Sequence, residues 1–118
     1  MDYSCTIYKT ADFIGKKWTL LILLELCKGD KVCRYQELKK SLPGITAKVL
    51  SQRLKELEHE GLVKKRIDSS SYPIKCEYSL TKAGQDFVPV IKSMKKWALK
   101  WKYKNNECRG TRCERCGI

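Results

Sequence analysis

Seven cysteines stand among the 118 residues, at positions 5, 27, 33, 76, 108, 113 and 116. The last three, Cys108, Cys113 and Cys116, follow the spacing C-x4-C-x2-C, which is also found in plant-type ferredoxin ligation. A four-ligand cluster site would need one more sulfur, from Cys5 or from a cysteine of a second chain. One CxxC pair plus a further cysteine serves zinc equally well, and a reversible disulfide from Cys5 to a tail cysteine is a third option. Arg109, Arg112 and Arg115 interleave with these cysteines as in a solvated basic tail. The spacing is therefore a weaker signal than a paired CxxC…CxxC. No cofactor is expected; zinc or an iron–sulfur cluster on Cys108, Cys113 and Cys116 is the alternative. Cys5 follows Ser4, which reads as the N-cap of a first helix, so its sulfur lies at the positive end of a helix macrodipole. Lys9 lies one turn on and Asp2 opposes it. A thiolate is the form that reacts with peroxide, quinone or another thiol; the competing reading is a small residue packed at a subunit interface. Cys27, Cys33 and Cys76 read as small structural hydrophobes, at a helix end, in a turn and in a strand respectively.

A second set of residues has the types that read double-stranded DNA. Between Thr46 and Glu60 the apolar residues Val49, Leu50, Leu54 and Leu57 recur at helical spacing. With the leucines turned inward, Lys48, Gln52, Lys55 and His59 fall on the opposite face and Ser51 at its edge. Gln pairs bidentately with adenine, Lys reaches guanine or a phosphate, and Ser serves either. The N-terminal part of a recognition helix lies deepest in the major groove. Thr46, Lys48, Ser51 and Gln52 are thus the candidates for base contact, and Lys55 for the backbone. The plain alternative is a solvated helix face. Against it stand the short helix and Pro43-Gly44 turn before this segment and the basic hairpin after it. In that hairpin Lys64, Lys65, Arg66 and Lys75 flank a serine-rich loop suited to a minor groove, and Lys64 and Arg66 share one strand face while Lys65 takes the other. Arg66 and Lys75 are the candidate wing contacts. His59 is the only histidine, and no nucleophile–base pair, phosphate-binding glycine loop or acidic cluster accompanies it. The chain is not read as an enzyme.

These residues need a frame to hold them. The length allows one compact domain. Lysine and arginine total 25 against 13 acidic residues, a net charge of +12, and such a field favours a polyanion. No signal peptide is visible at Met1-Asp2-Tyr3-Ser4, and the longest apolar run, Leu20 to Leu24, cannot span a bilayer. A cytoplasmic protein with mostly reduced thiols is expected, with no membrane partner. The pattern predicts helices from Ser4 to about Phe13, with Ile7, Ala11 and Ile14 on one face, from Trp18 to Cys27, and from Arg34 to Ser41, with Tyr35 and Leu38 inward. After the Leu42-Pro43-Gly44-Ile45 connection comes the Thr46–Glu60 helix, closed by Gly61 and Leu62. Strands at Leu62–Asp68 and Ile74–Leu80 form the hairpin. Thr81 caps a last helix reaching about Tyr103. Its apolar residues (Phe87, Val88, Ile91, Met94, Trp97, Ala98, Trp101) exceed one stripe, and the surplus points to a partner helix.

At this point the residues match a family. The segments Ile14-Gly15-Lys16-Lys17-Trp18, Leu42-Pro43-Gly44-Ile45-Thr46, Leu50-Ser51-Gln52-Arg53-Leu54-Lys55-Glu56-Leu57-Glu58 and Gly61-Leu62-Val63 resemble the HxlR-type branch of MarR-like winged-helix regulators. So do Tyr78-Ser79-Leu80-Thr81-Lys82-Ala83-Gly84 and Trp97. The turn from Gly29 to Cys33 looks slightly longer than the family pattern, and the cysteine-bearing tail is not a family hallmark. The resemblance implies a homodimer formed through the first and last helices, each protomer setting its wing and recognition helix on half of an inverted repeat. It also implies, for some members, an N-terminal cysteine that senses oxidants or electrophiles; Cys5 occupies that position. The expected architecture is mainly α with a small β-hairpin, a winged helix-turn-helix. It divides into a DNA-binding and dimerisation domain over 1–103 and a basic cysteine-rich tail over 104–118. The expected function is sequence-specific binding of double-stranded DNA as a transcription regulator. The alternative is a metal- or cluster-carrying redox protein whose basic surface meets an acidic partner.

Overall fold

The computed structural model describes residues 1–28, 32–70 and 72–103. Cys108, Cys113 and Cys116, and with them the tail over 104–118, lie outside the described residues. Five helices and a small sheet follow in the order α1 (Thr6–Ile14), α2 (Lys17–Lys28), β1 (Cys33–Arg34), α3 (Tyr35–Ser41), α4 (Ala47–His59), β2 (Val63–Asp68), β3 (Lys75–Leu80) and α5 (Lys82–Trp101). The expected mainly-α winged helix-turn-helix is present. The sheet has three strands in the order β1-β3-β2, all antiparallel.

β1 corrects the reading of Cys33 as a turn residue. Cys33 pairs with Tyr78 and Arg34 with Glu77. A two-residue strand has no period of its own, and only the approach of β3 makes it one.

The core forms where the helical stripes converge. Ile22, Leu23 and Leu26 of α2 meet Leu38 of α3, Leu50, Leu54 and Leu57 of α4, and Val63, Tyr78 and Leu80 of the sheet, all buried. Thr19 is also buried, and its hydroxyl has no hydrogen-bond partner among the described residues. Phe87, Val88 and Ile91 of α5 pack on this cluster from outside.

The corner between α4 and the sheet is fixed by backbone chemistry. Gly61 takes φ +83°, a left-handed conformation that glycine adopts without strain. The Gly61 N–H donates to the Glu58 carbonyl and the Leu62 N–H to the Leu57 carbonyl, each at 3.0 Å, a complete Schellman closure. The Thr81 hydroxyl caps α5 by accepting from the Gly84 N–H at 3.2 Å and donates to the Gly61 carbonyl at 2.6 Å. Gly84 lets this seam close: a Cβ there would stand 2.2 Å from the Leu62 carbonyl oxygen. The first turn of α5 is thereby locked to the end of α4.

α1 departs from expectation in two ways. Its N-cap is Cys5, not Ser4; Ser4 instead donates from both its N–H and its hydroxyl to the Asp2 carboxylate, at 2.9 and 2.6 Å. A local Asx turn outcompetes Ser4 as cap. None of its residues is buried, so the Ile7–Ala11–Ile14 stripe finds no complete cover within the protomer, and Ile7 is 73% exposed. On α5 a second stripe, Val90, Met94, Trp97 and Trp101, is likewise exposed. No helix among the described residues is long and apolar enough to cross a membrane.

Candidate nucleic-acid interface

α3, the connection from Leu42 to Thr46 and α4 make the helix-turn-helix unit. α3 starts with the Arg34 N–H donating to the Glu37 carboxylate at 3.2 Å, satisfying a donor the helix leaves open. The turn closes through the Ile45 N–H on the Leu42 carbonyl at 3.1 Å. Gly44 there takes φ +93°, and the Trp18 ring lies 3.9 Å from where its Cβ would stand. Lys17 stands over that same indole, 4.7 Å from its centroid. Thr46 is extended, and its Oγ1 accepts from the Val49 N–H at 3.2 Å. This is the expected N-cap, and it sets the direction in which α4 leaves the turn.

With Leu50, Leu54 and Leu57 fully buried, the opposite side of α4 faces out. Thr46, Lys48, Ser51, Gln52, Lys55 and His59 are all exposed, so the structure brings the expected α4 residues onto one continuous surface. Two neighbours were not legible beforehand. Arg53 is drawn away from this surface, its guanidinium donating to Glu56 at 2.6 Å, while Lys16 meets the same carboxylate at 3.2 Å. On the other flank the Tyr35 hydroxyl donates to the Ala47 carbonyl at 3.1 Å and lies 3.2 Å from Ser51 Oγ. Tyr35 was expected to point inward; its ring does, half-buried against the core, but its hydroxyl emerges beside the outward face.

In the wing, Lys64, Lys65 and Arg66 are exposed and Lys75 is half-buried. The register sets Arg66 opposite Glu77 and Asp68 opposite Lys75. Both candidate wing cations thus have an acid across the strand. The Ser70 hydroxyl and N–H, with Arg66 and Lys75 beyond, hold the Asp68 carboxyl below the usual carboxylate range. The serine-rich loop also carries apolar residues: Tyr72 is 96% exposed, and Ile67 on β2 and Ile74 just before β3 are exposed beside it.

The thiols differ in setting. Cys5 is half-exposed at the start of α1. Asp2 beside it is held ionised by the two Ser4 hydrogen bonds, which push its carboxyl below the usual range. Cys33 is pushed up to about 11 by burial and by the Glu37 and Glu25 carboxylates. Cys76 Sγ contacts the Tyr78 hydroxyl at 3.6 Å, and burial with this contact raises Tyr78. Among the described residues no group of three His, Cys, Asp or Glu side chains is placed to hold a metal ion.

A family model described as HxlR-like helix-turn-helix matches residues 13–106. The HTH-type transcriptional regulator YvaP of Bacillus subtilis strain 168 is 40% identical over 93 residues, covering 79% of this chain and 83% of that protein. Among solved structures, a MarR-family transcriptional regulator from Porphyromonas gingivalis W83 superposes with a TM-score of 0.76 at 36% identity, covering 86% of this chain and 96% of that one. The redox regulator HypR in its oxidised form gives a TM-score of 0.73 at 32% identity, over 84% of this chain and 99% of that one. The resemblance carried by the Leu50–Glu58 and Gly61–Val63 segments thus extends through fold and sequence alike, and the chain belongs to the HxlR-like helix-turn-helix family of MarR-like transcriptional regulators.

Proposed function

We propose that the protein regulates transcription in the cytoplasm by binding double-stranded DNA as a homodimer, one protomer on each half of an inverted repeat, without enzymatic activity. The observation that carries this reading is the exposed face of α4. Thr46, Lys48, Ser51, Gln52 and Lys55 stand opposite a fully buried leucine stripe on a helix whose start is fixed by its cap. Phosphate contacts supply affinity and base edges supply sequence preference, so Gln52 reads a base while Arg66 and Lys75 meet the backbone from the wing. The exposed stripes of α1 and α5 supply the dimer contact. The domain over 1–103 carries both tasks, and the tail over 104–118 is appended to it. Cys5, half-exposed at the start of α1, is the sensing thiol; the redox function of HypR, a structural neighbour, supports this part of the reading.

The test is selection of bound duplexes from a randomised pool, followed by titration at several salt concentrations. Affinity should fall steeply with salt. Gln52→Ala should relax preference at one base pair, whereas Lys75→Ala should weaken all sequences about equally. Uniform weakening by both would remove Gln52 as a base reader, and a pool that shows no enrichment at all would remove the regulator reading itself. Cys5→Ser should abolish any oxidant-dependent change in binding.

A further inference from the structure

The contacts around Tyr35 determine which way the hydroxyl of Ser51 points its proton. Three oxygens meet there: Tyr35 Oη lies 3.1 Å from the Ala47 carbonyl oxygen and 3.2 Å from Ser51 Oγ. Two short contacts need two protons. The carbonyl has none, tyrosine has one and serine has one. Only one assignment gives each contact a hydrogen: Tyr35 donates to Ala47, and Ser51 donates to Tyr35. Were Tyr35 to donate to Ser51 instead, its oxygen would face the Ala47 carbonyl lone pair against lone pair. The exposed side of Ser51 is then left with lone pairs alone.

We propose that Tyr35 is a positioning residue that makes Ser51 an acceptor on the outward face of α4, so that this position selects adenine or cytosine. In the major groove these bases offer the N6 and N4 amino donors. Guanine O6 and N7, thymine O4 and the phosphate oxygens are all acceptors and are refused by a serine whose proton is committed elsewhere. An unconstrained serine rotates to serve donor or acceptor alike, so the selectivity comes from α3, a helix that need not touch the base. The inference rests on the proposed reading of DNA by α4 and deepens it.

The test is the same duplex selection, run with the full chain as wild type, Tyr35→Phe, Ser51→Ala and Ser51→Thr. Wild type should favour adenine or cytosine over guanine or thymine at one operator position by about five- to tenfold, the scale of one well-placed hydrogen bond. Ser51→Ala identifies that position by losing the preference there. Tyr35→Phe, which keeps the ring and the α3 packing, should lose it at the same position and leave all other positions unchanged. Ser51→Thr keeps the committed proton and should retain it. A Tyr35→Phe protein with the wild-type preference at that position overturns the inference while leaving DNA reading by α4 intact. So does a Ser51→Ala protein whose preferences match wild type throughout. Failure of wild type to enrich any sequence overturns both readings together.

Discussion

Replacement of Trp97 by alanine measures whether the outer stripe of α5 is covered in solution. Trp97 is 59% exposed in the protomer. A tryptophan offers about 200 Å² for burial, so about 120 Å² of this one remains to be covered. At about 25 cal/mol per Å², full coverage contributes about 3 kcal/mol per protomer, and a two-fold interface counts it twice, about 6 kcal/mol. Rim placement and the retained alanine carbon reduce this figure. Half of it, about 3 kcal/mol, still raises the dimer dissociation constant about a hundredfold. Sedimentation equilibrium on wild type and Trp97→Ala reads that constant directly. Lys96→Ala, an exposed position next along the same helix, serves as control and should leave it unchanged. Thermal melting at a concentration where both proteins are monomeric should show little difference, because Trp97 makes no part of the buried core. Equal dissociation constants for wild type and Trp97→Ala would refute the argument, as would a wild type that stays monomeric at the highest concentration reached.

Three further outcomes follow from single side chains. Gly84→Ala gains about 1 kcal/mol of helix propensity but drives a Cβ to 2.2 Å from the Leu62 carbonyl oxygen. The clash wins, and urea unfolding should show a net loss of about 2 kcal/mol or more. Thr19→Val replaces a buried, unpartnered hydroxyl with a methyl of similar shape, and should raise stability by about 1 kcal/mol; a lower melting temperature would mean that the hydroxyl has a partner. Cys33, pushed from its ordinary value of 9.0 to about 11, should hold about a hundredfold less thiolate at pH 8 than an unperturbed cysteine and be alkylated correspondingly slowly in mass-spectrometric footprinting. The sign also fixes its pH dependence: its raised value stabilises the fold fully below about pH 9, and that contribution is lost as pH rises through about 11.

How much of this was legible depended on the range of the forces involved. The α4 stripe was, because Leu50, Leu54 and Leu57 repeat at helical spacing over about two turns. The caps Thr46 and Thr81 and the closure at Gly61 were, because each is decided within about five residues of chain. Ser4 failed at the same scale, since its side chain turns back to donate to the Asp2 carboxylate and accepts nothing from the first turn of α1. What could not be read was tertiary in origin. β1 exists because β3 passes beside Cys33 and Arg34. Lys16 reaches Glu56 across 40 residues of sequence, and Tyr35 finds Ala47 and Ser51 only once the turn is closed. Apart from the β1–β3 pairing, the missed contacts lie on the flanks of α4, between the buried leucines and the outward face.

Net charge says less about the proposed surface than the pairing of charges does. The total of +12 is blunted unevenly. In the wing, Arg66 faces Glu77 and Lys75 faces Asp68, so a phosphate approaching either cation meets an acid within the same strand pair. Arg53 is taken out entirely by its bond to Glu56 at 2.6 Å. Lys48 and Lys55 on α4 are exposed, and among the described residues neither stands in an ion pair. Coulomb energy between exposed charges falls within a Debye length of about 8–10 Å, so local neutralisation outweighs the distant total. On the proposed reading, a phosphate therefore gains more from α4 than from the wing strands. On that same reading the acids across the strand pair, Glu77 and Asp68, make the wing the weaker contact, favoured only where the groove brings DNA close to Arg66 and Lys75.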